Sequence, residues 1–187
     1  MIGRTRVRLD HFDATLGLSR GKSAPVEALW YILKCTIFMS AIPWPSALKV
    51  RLLQLFGASV GQGVVIKPRV NIHLPWKLNV GDYCWIGEGA WILNLEPVTI
   101  GAQCCISQNV FLCTGNHDFR DVAMPYRNAP IVIEDGAWIA AQCFVGPGVT
   151  VGSEAVVLAG SVVLKSLEGG AVYQGSPCVF VKSRWAQ

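Results

Sequence analysis

At 187 residues, with 52% hydrophobic and 15% charged side chains, the chain can bury a sizeable core and is apolar for a soluble monomer. Part of its surface is therefore expected to lie between subunits or against a membrane. A formal net charge of +4, scattered along the chain, excludes a nucleic-acid reader and suits a small polyanionic ligand. Seven cysteines, an odd number without a Cys-x-x-Cys pair, argue against a disulfide scaffold or a zinc knuckle. Cys84, Cys104 and Cys143 share one phase of the repeat described below and read as reduced packing residues of a cytosolic protein.

Residues 1–57 read as a helical arm. Its first two dozen residues are polar and basic, without signal-peptide character, and are expected to be loosely ordered. Pro25, with Ser23 before it, marks a helix start. From Val26 to Ala41 the apolar residues are too dense for a one-sided helix. The run Ala28 to Ile42 contains Lys34, ends at Pro43-Trp44-Pro45 and falls short of the ~20 residues a spanning helix needs. A second helix, Ala47 to Phe56, is predicted to bury Leu48, Leu52, Leu55 and Phe56, with Lys49 and Arg51 turned away and Gly57 as its stop. Two compatible roles stay open for the arm. It caps the open end of the next domain, or residues 25–56 make peripheral contact with the inner face of the cytoplasmic membrane through Trp30, Trp44 and flanking Lys and Arg residues.

Residues 58–168 follow a period of six. Val60, Ile66 and Ile72 form one run, Val80, Ile86 and Ile92 the next, then Ile100, Ile106 and Leu112, and finally Ile133, Ile139, Val145, Val151, Val157 and Val163. The following residue is often Gly (Gly61, Gly81, Gly87, Gly101, Gly146, Gly152), and four places on stands a small or compact residue. No helix has this period. A coil of three short strands does, with the aliphatics stacked inward as ladders, and the fold class is all-β, a parallel β-helix. Glycine after the apolar residue is expected to relieve corner angles that are awkward for a side chain. The rhythm slips by two residues before Val80 and before Ile100, where bulges at corners are expected. It breaks for longer after Leu112-Cys113-Thr114-Gly115-Asn116-His117: residues 118–132 are left over as an outward loop, of a length that is usually functional. Residues 169–187 form a short tail.

These hexads, the histidine-bearing loop, the stretches Leu55-Phe56-Gly57-Ala58, Pro75-Trp76-Lys77-Leu78 and Ile106-Ser107-Gln108, and the ending Tyr173-Gln174-Gly175-Ser176-Pro177 resemble the left-handed β-helix acyltransferases. The similarity is greatest to exopolysaccharide O-acetyltransferases of the colanic-acid type. The resemblance implies a left-handed coil, a homotrimer, and a cleft between subunits where acetyl-CoA meets a sugar or lipid-linked oligosaccharide acceptor. It also implies His117 as general base. Such a base suits the chemistry, because a sugar hydroxyl is not ionised near neutral pH and an unperturbed imidazole titrates near ~6.5. The imidazole takes the hydroxyl proton as the oxygen attacks and returns one to the departing thiolate. No Ser, Cys or Lys is placed to suggest a covalent intermediate.

Around His117, Asn94 is a candidate for holding the acceptor or for corner bonding. Asp118 is a candidate for setting the loop or the imidazole tautomer, and Met124 and Tyr126 for lining the acceptor pocket. The resemblance places the pantetheine arm of CoA beside Ala141, Ala159 and Gly160, and the phosphates near Lys165, Lys182 and Arg184. Leu164 stands where relatives commonly have Thr, and Val179 where some have a basic residue. A non-catalytic scaffold, or an acetyltransferase acting on a small free oligosaccharide, amino acid or antibiotic, therefore stays open. A zinc carbonic anhydrase on the same scaffold would need three imidazoles, and only His73 and His117 fall in the repeat domain, so no metal is expected.

Overall fold

The computed structural model describes residues 6–185. The hexads build three parallel sheets that form the faces of a triangular prism. The first stacks Ser59–Val60, Leu78–Val80, Val98–Ile100, Ile131–Ile133 and Thr150–Val151; the second starts with Val65–Ile66 and the third with Asn71–Ile72.

Register puts like residue over like. One ladder runs Val60, Val80, Ile100, Ile133, Val151. A second runs Ile66, Ile86, Ile106, Ile139, Val157, and a third Ile72, Ile92, Leu112, Val145, Val163. All of these are buried, and Cys84, Cys104 and Cys143 lie among them as free thiols.

The glycines after the ladder residues serve a different purpose from the one expected. The left-handed backbone falls two residues later, at Gly63, Arg69, Tyr83, Gly89, Gln103, Asn109, Gly136, Gln142, Gly148, Glu154 and Gly160. The earlier glycines other than Gly146 are required by close approach between coils. A Cβ on Gly81 would lie 2.6 Å from the Ala102 nitrogen, and one on Gly87 would lie 2.6 Å from the Ser107 carbonyl carbon. The extra residues before Val80 are taken up by a 3-10 turn at Pro75–Lys77.

A stack of parallel strands leaves unpaired backbone groups at its first coil. In the coil above, each ladder carbonyl accepts from the coil beneath: Gly61 N donates to Val80 O (2.9 Å), Lys67 N to Ile86 O (3.0 Å) and His73 N to Ile92 O (3.0 Å). Nothing in the repeat can do this for Val60, Ile66 and Ile72. The arm does it instead. Helices α1 (Ala24–Leu33) and α2 (Ser46–Leu55) lie across the opening, with a π-turn at Lys34–Phe38 between them. Gln54 Nε2 donates to Val60 O at 2.9 Å. Lys49 Nζ donates to Ile66 O and Lys67 O at 3.2 and 2.9 Å. Trp30 Nε1 reaches Ile72 O and His73 O, both at 3.1 Å.

The arm is thus a cap, and this corrects the face expected for α2. Lys49 is fully buried beside Leu53, while Leu55 is 80% exposed. Satisfying two stranded carbonyls outweighs the preference of a lysine for water. At the other end, Ala171–Gln174 extends the second sheet from the tail and turns back as the antiparallel, exposed strand Val179–Ser183.

Candidate active site

The strand Phe111–Cys113 delivers the chain to the edge where the third face turns into the first. Thr114, fully buried, fixes the departure: its hydroxyl donates to Leu93 O (2.9 Å) and accepts from Glu96 N (3.0 Å). The outward loop then folds back on itself. Asp118 N donates to Pro125 O, Arg127 N to Asn116 O and Ala129 N to Thr114 O, at 2.8–3.1 Å, and His117 bridges Tyr126 antiparallel.

Within this hairpin His117 is half-buried and held from two sides. Its backbone N–H donates to Asn116 Oδ1 at 2.8 Å. Its Nδ1 lies 2.6 Å from the carbonyl oxygen of Met124. A carbonyl can only accept, so Nδ1 carries the proton and the lone pair belongs to Nε2. Tyr126 lies against the imidazole (centroids 5.0 Å apart), and Phe12 meets both rings edge-on at 5.4 and 5.2 Å.

The expected tautomer role of Asp118 passes to Met124. The Asp118 carboxylate instead receives the Arg120 side chain at 2.9 Å through both Nε and Nη2, and its pKa is held down to about 2, first by those hydrogen bonds. Met124 contributes its main chain, through a left-handed backbone (φ 48°). Asn94 is removed from the acceptor side altogether. It is fully buried, its Oδ1 accepting from Leu74 N (2.9 Å) and its Nδ2 donating to Leu74 O (2.6 Å), so it ties two coils together.

The residues expected around CoA fall on different edges of the prism. Ala141, Ala159 and the left-handed Gly160 share the corner between the second and third faces, where a Cβ on Gly160 would meet nothing within 4 Å. Lys165 is exposed on the edge that bears His117, and Lys182 on the last strand. Arg184 is turned to the third edge. There it pairs with Glu154 (3.0 Å) and donates to Gly136 O and Glu154 O, so its guanidinium is engaged within the fold.

Three features escaped the sequence reading. The Met124 carbonyl could not be seen because any residue supplies one. Phe12 comes from a segment expected to be loose, which instead runs along the loop: Arg8 N donates to Val122 O at 2.7 Å. Asn128 accepts from Asn116 N through Oδ1 (3.0 Å) and keeps a buried Nδ2 without a hydrogen-bond partner. His73, by contrast, lies mostly buried beside the cap, and burial lowers its pKa.

A prism of hexads with one histidine-bearing loop at its edge defines a hexapeptide-repeat transferase. The family model "Bacterial transferase hexapeptide (six repeats)" matches residues 130–165. A protein of Escherichia coli K12 named as a colanic acid biosynthesis acetyltransferase, WcaF, is 41% identical over 176 residues, 94% of this chain and 96% of that protein. The galactoside O-acetyltransferase of the same organism is 31% identical over 144 residues, 74% of this chain and 70% of the other. Among solved structures, a hexapeptide-repeat acetyltransferase of Vibrio cholerae in complex with acetyl coenzyme A superposes with a TM-score of 0.79. It is 27% identical, over 89% of this chain and 92% of that one. The chain belongs to the hexapeptide-repeat acetyltransferase family. Its fold is the left-handed parallel β-helix of that family, and it is an acyltransferase.

Proposed function

We propose that the protein is an O-acetyltransferase that moves the acetyl group of acetyl-CoA to a hydroxyl of a sugar in exopolysaccharide, capsule or lipopolysaccharide biosynthesis. His117 Nε2 takes the proton of the hydroxyl as its oxygen attacks the thioester carbonyl. The tetrahedral oxyanion collapses, the C–S bond breaks, and the imidazolium returns the proton to the thiolate of CoA. The observation that supports this most is the 2.6 Å contact of Nδ1 with Met124 O, which leaves Nε2 as the base. Asp118, Met124 and Tyr126 shape the loop around the acceptor, and Ala141, Ala159, Gly160, Lys165 and Lys182 receive CoA.

A homotrimer belongs to the same proposal. In one chain Ala141, Ala159 and Gly160 lie on a different edge from His117, which supports a neighbouring copy bringing its groove to the imidazole. The likeness to a colanic acid biosynthesis protein supports a polymer precursor as acceptor, and a lipid-linked oligosaccharide at the inner face of the cytoplasmic membrane meets that description. The likeness to a galactoside O-acetyltransferase favours, as a second reading, a small free sugar.

The test is release of CoA thiol from acetyl-CoA in the presence of lipid-linked oligosaccharides, free oligosaccharides and amino-acid acceptors. Acceptor-dependent release with the lipid-linked sugars is expected. Release with free sugars alone would favour the second reading, and release with none of them would refute the assignment to sugars.

A further inference from the structure

The outer face of the cap inverts the usual order of a water-facing helix. Between Ala28 and Leu48 the only charged residue is Lys34. It points inward, 6% exposed, in a stripe with Trp30 and Phe38. On the opposite side stand Leu29, Ile32 and Met39, followed by Ile42 and Trp44 in the turn to α2, all 36–59% exposed. Burial lowers the pKa of Lys34, so the inward turn opposes its charge. An apolar surface without a single charge within it is costly in water and marks a surface that is covered.

We propose that this face of the cap lies in the plane of an anionic lipid bilayer, with Leu29, Ile32, Met39 and Ile42 dipping into it and Trp44 at its rim. Charge complementarity singles out this occupant. Residues 1–57 carry eight Lys and Arg against three Asp and Glu, a net of +5, while residues 58–187 carry eight against nine, a net of −1. The positive balance of the chain therefore falls in the arm; Arg8 runs along the His117 loop and Lys34 and Lys49 are buried, which leaves Lys22 and Arg51 as the exposed cations that flank the apolar face. Tyr31 and Trp44 are the aromatic types found at membrane–water boundaries. No helix among the described residues is long and apolar enough to cross a membrane, which fits contact in the plane. Trp30, expected at the membrane, is instead buried within the cap and bonded to Ile72 O and His73 O; the docking face rests on the membrane reading above for the location of the acceptor but not on the chemistry of His117.

The full chain is sedimented with vesicles of phosphatidylglycerol and phosphatidylcholine, and with vesicles of phosphatidylcholine alone, at low and high salt. The protein is expected to sediment with the anionic vesicles and to be released by salt. The double variant Ile32→Glu, Met39→Glu is expected to lose at least about fivefold in bound fraction, with an unchanged circular-dichroism melt and unchanged acetyl transfer to a soluble sugar. Wild-type protein that stays in the supernatant overturns the proposal. So does a variant that binds like wild type, or one whose mass falls in light scattering while vesicle binding persists, which would give the face to a second copy. Bound wild type without transfer to any sugar would refute the chemistry at His117 and leave the docking surface standing.

Discussion

Lys49 and Lys34 are both lysines of the cap turned away from water, and they should respond to the same substitution in opposite ways. Lys49→Met removes the donor to Ile66 O and Lys67 O, at 3.2 and 2.9 Å, from the open end of the prism. A hydrogen bond from a charged group contributes about 1.5–3 kcal/mol net. Two are lost, but burial lowers the pKa of Lys49, so part of that is returned when its charge is removed. A net loss of about 2 kcal/mol is expected, which for a chain of this size lowers Tm by about 4–8 °C. Lys34→Met removes an ammonium whose contact is the Tyr31 ring, 4.9 Å from its centroid, and stability should hold or rise by up to ~1 kcal/mol. The assay is thermal unfolding of both variants and wild type at one protein concentration, since assembly shifts Tm by mass action. Equal stability of Lys49→Met and wild type, or an equal loss in both variants, would refute the assignment of Lys49 as an edge cap.

Asn94→Ala should destabilise by about 2–4 kcal/mol in denaturant unfolding, because Leu74 N and Leu74 O lose their partners in a buried corner. A loss of turnover at unchanged stability would return Asn94 to the acceptor site. Gly87→Ala should cost more stability than Gly160→Ala. The first drives a Cβ to 2.6 Å from the backbone of the next coil, whereas the second bears only the left-handed strain of about 1–2 kcal/mol. Gly160→Ala should instead raise the KM for acetyl-CoA, measured by initial rates, and an unchanged KM would remove that corner from the CoA groove.

The prism was legible because a six-residue period of buried aliphatics has one structural meaning, and every ladder from Val60 to Val163 falls in the register the spacing demands. The loop that bears His117 was legible as a break in that period. What lay beyond the sequence depended on neighbours distant along the chain. Lys49 reads as a solvent-facing residue until the unpaired carbonyls of the first coil are in view. The glycines after the ladder residues look like corner glycines, yet the constraint on them is the backbone one coil above. Arg184 reads as a ligand of the CoA phosphates, but the returning strand brings it to Glu154. Phe12 could not be attached to His117 because nothing periodic fixes residues 6–20; their place comes from single contacts such as Arg8 with Val122 and Trp76 Nε1 with Arg20 O.

The most direct test of the proposed chemistry is the turnover of His117→Ala with acetyl-CoA and a sugar acceptor that the wild type uses. Loss of a general base predicts a fall in kcat of at least ~100-fold, with little change in Tm and with acetyl-CoA still bound. A variant that keeps turnover within about fivefold of wild type would contradict the role of the imidazole as the base.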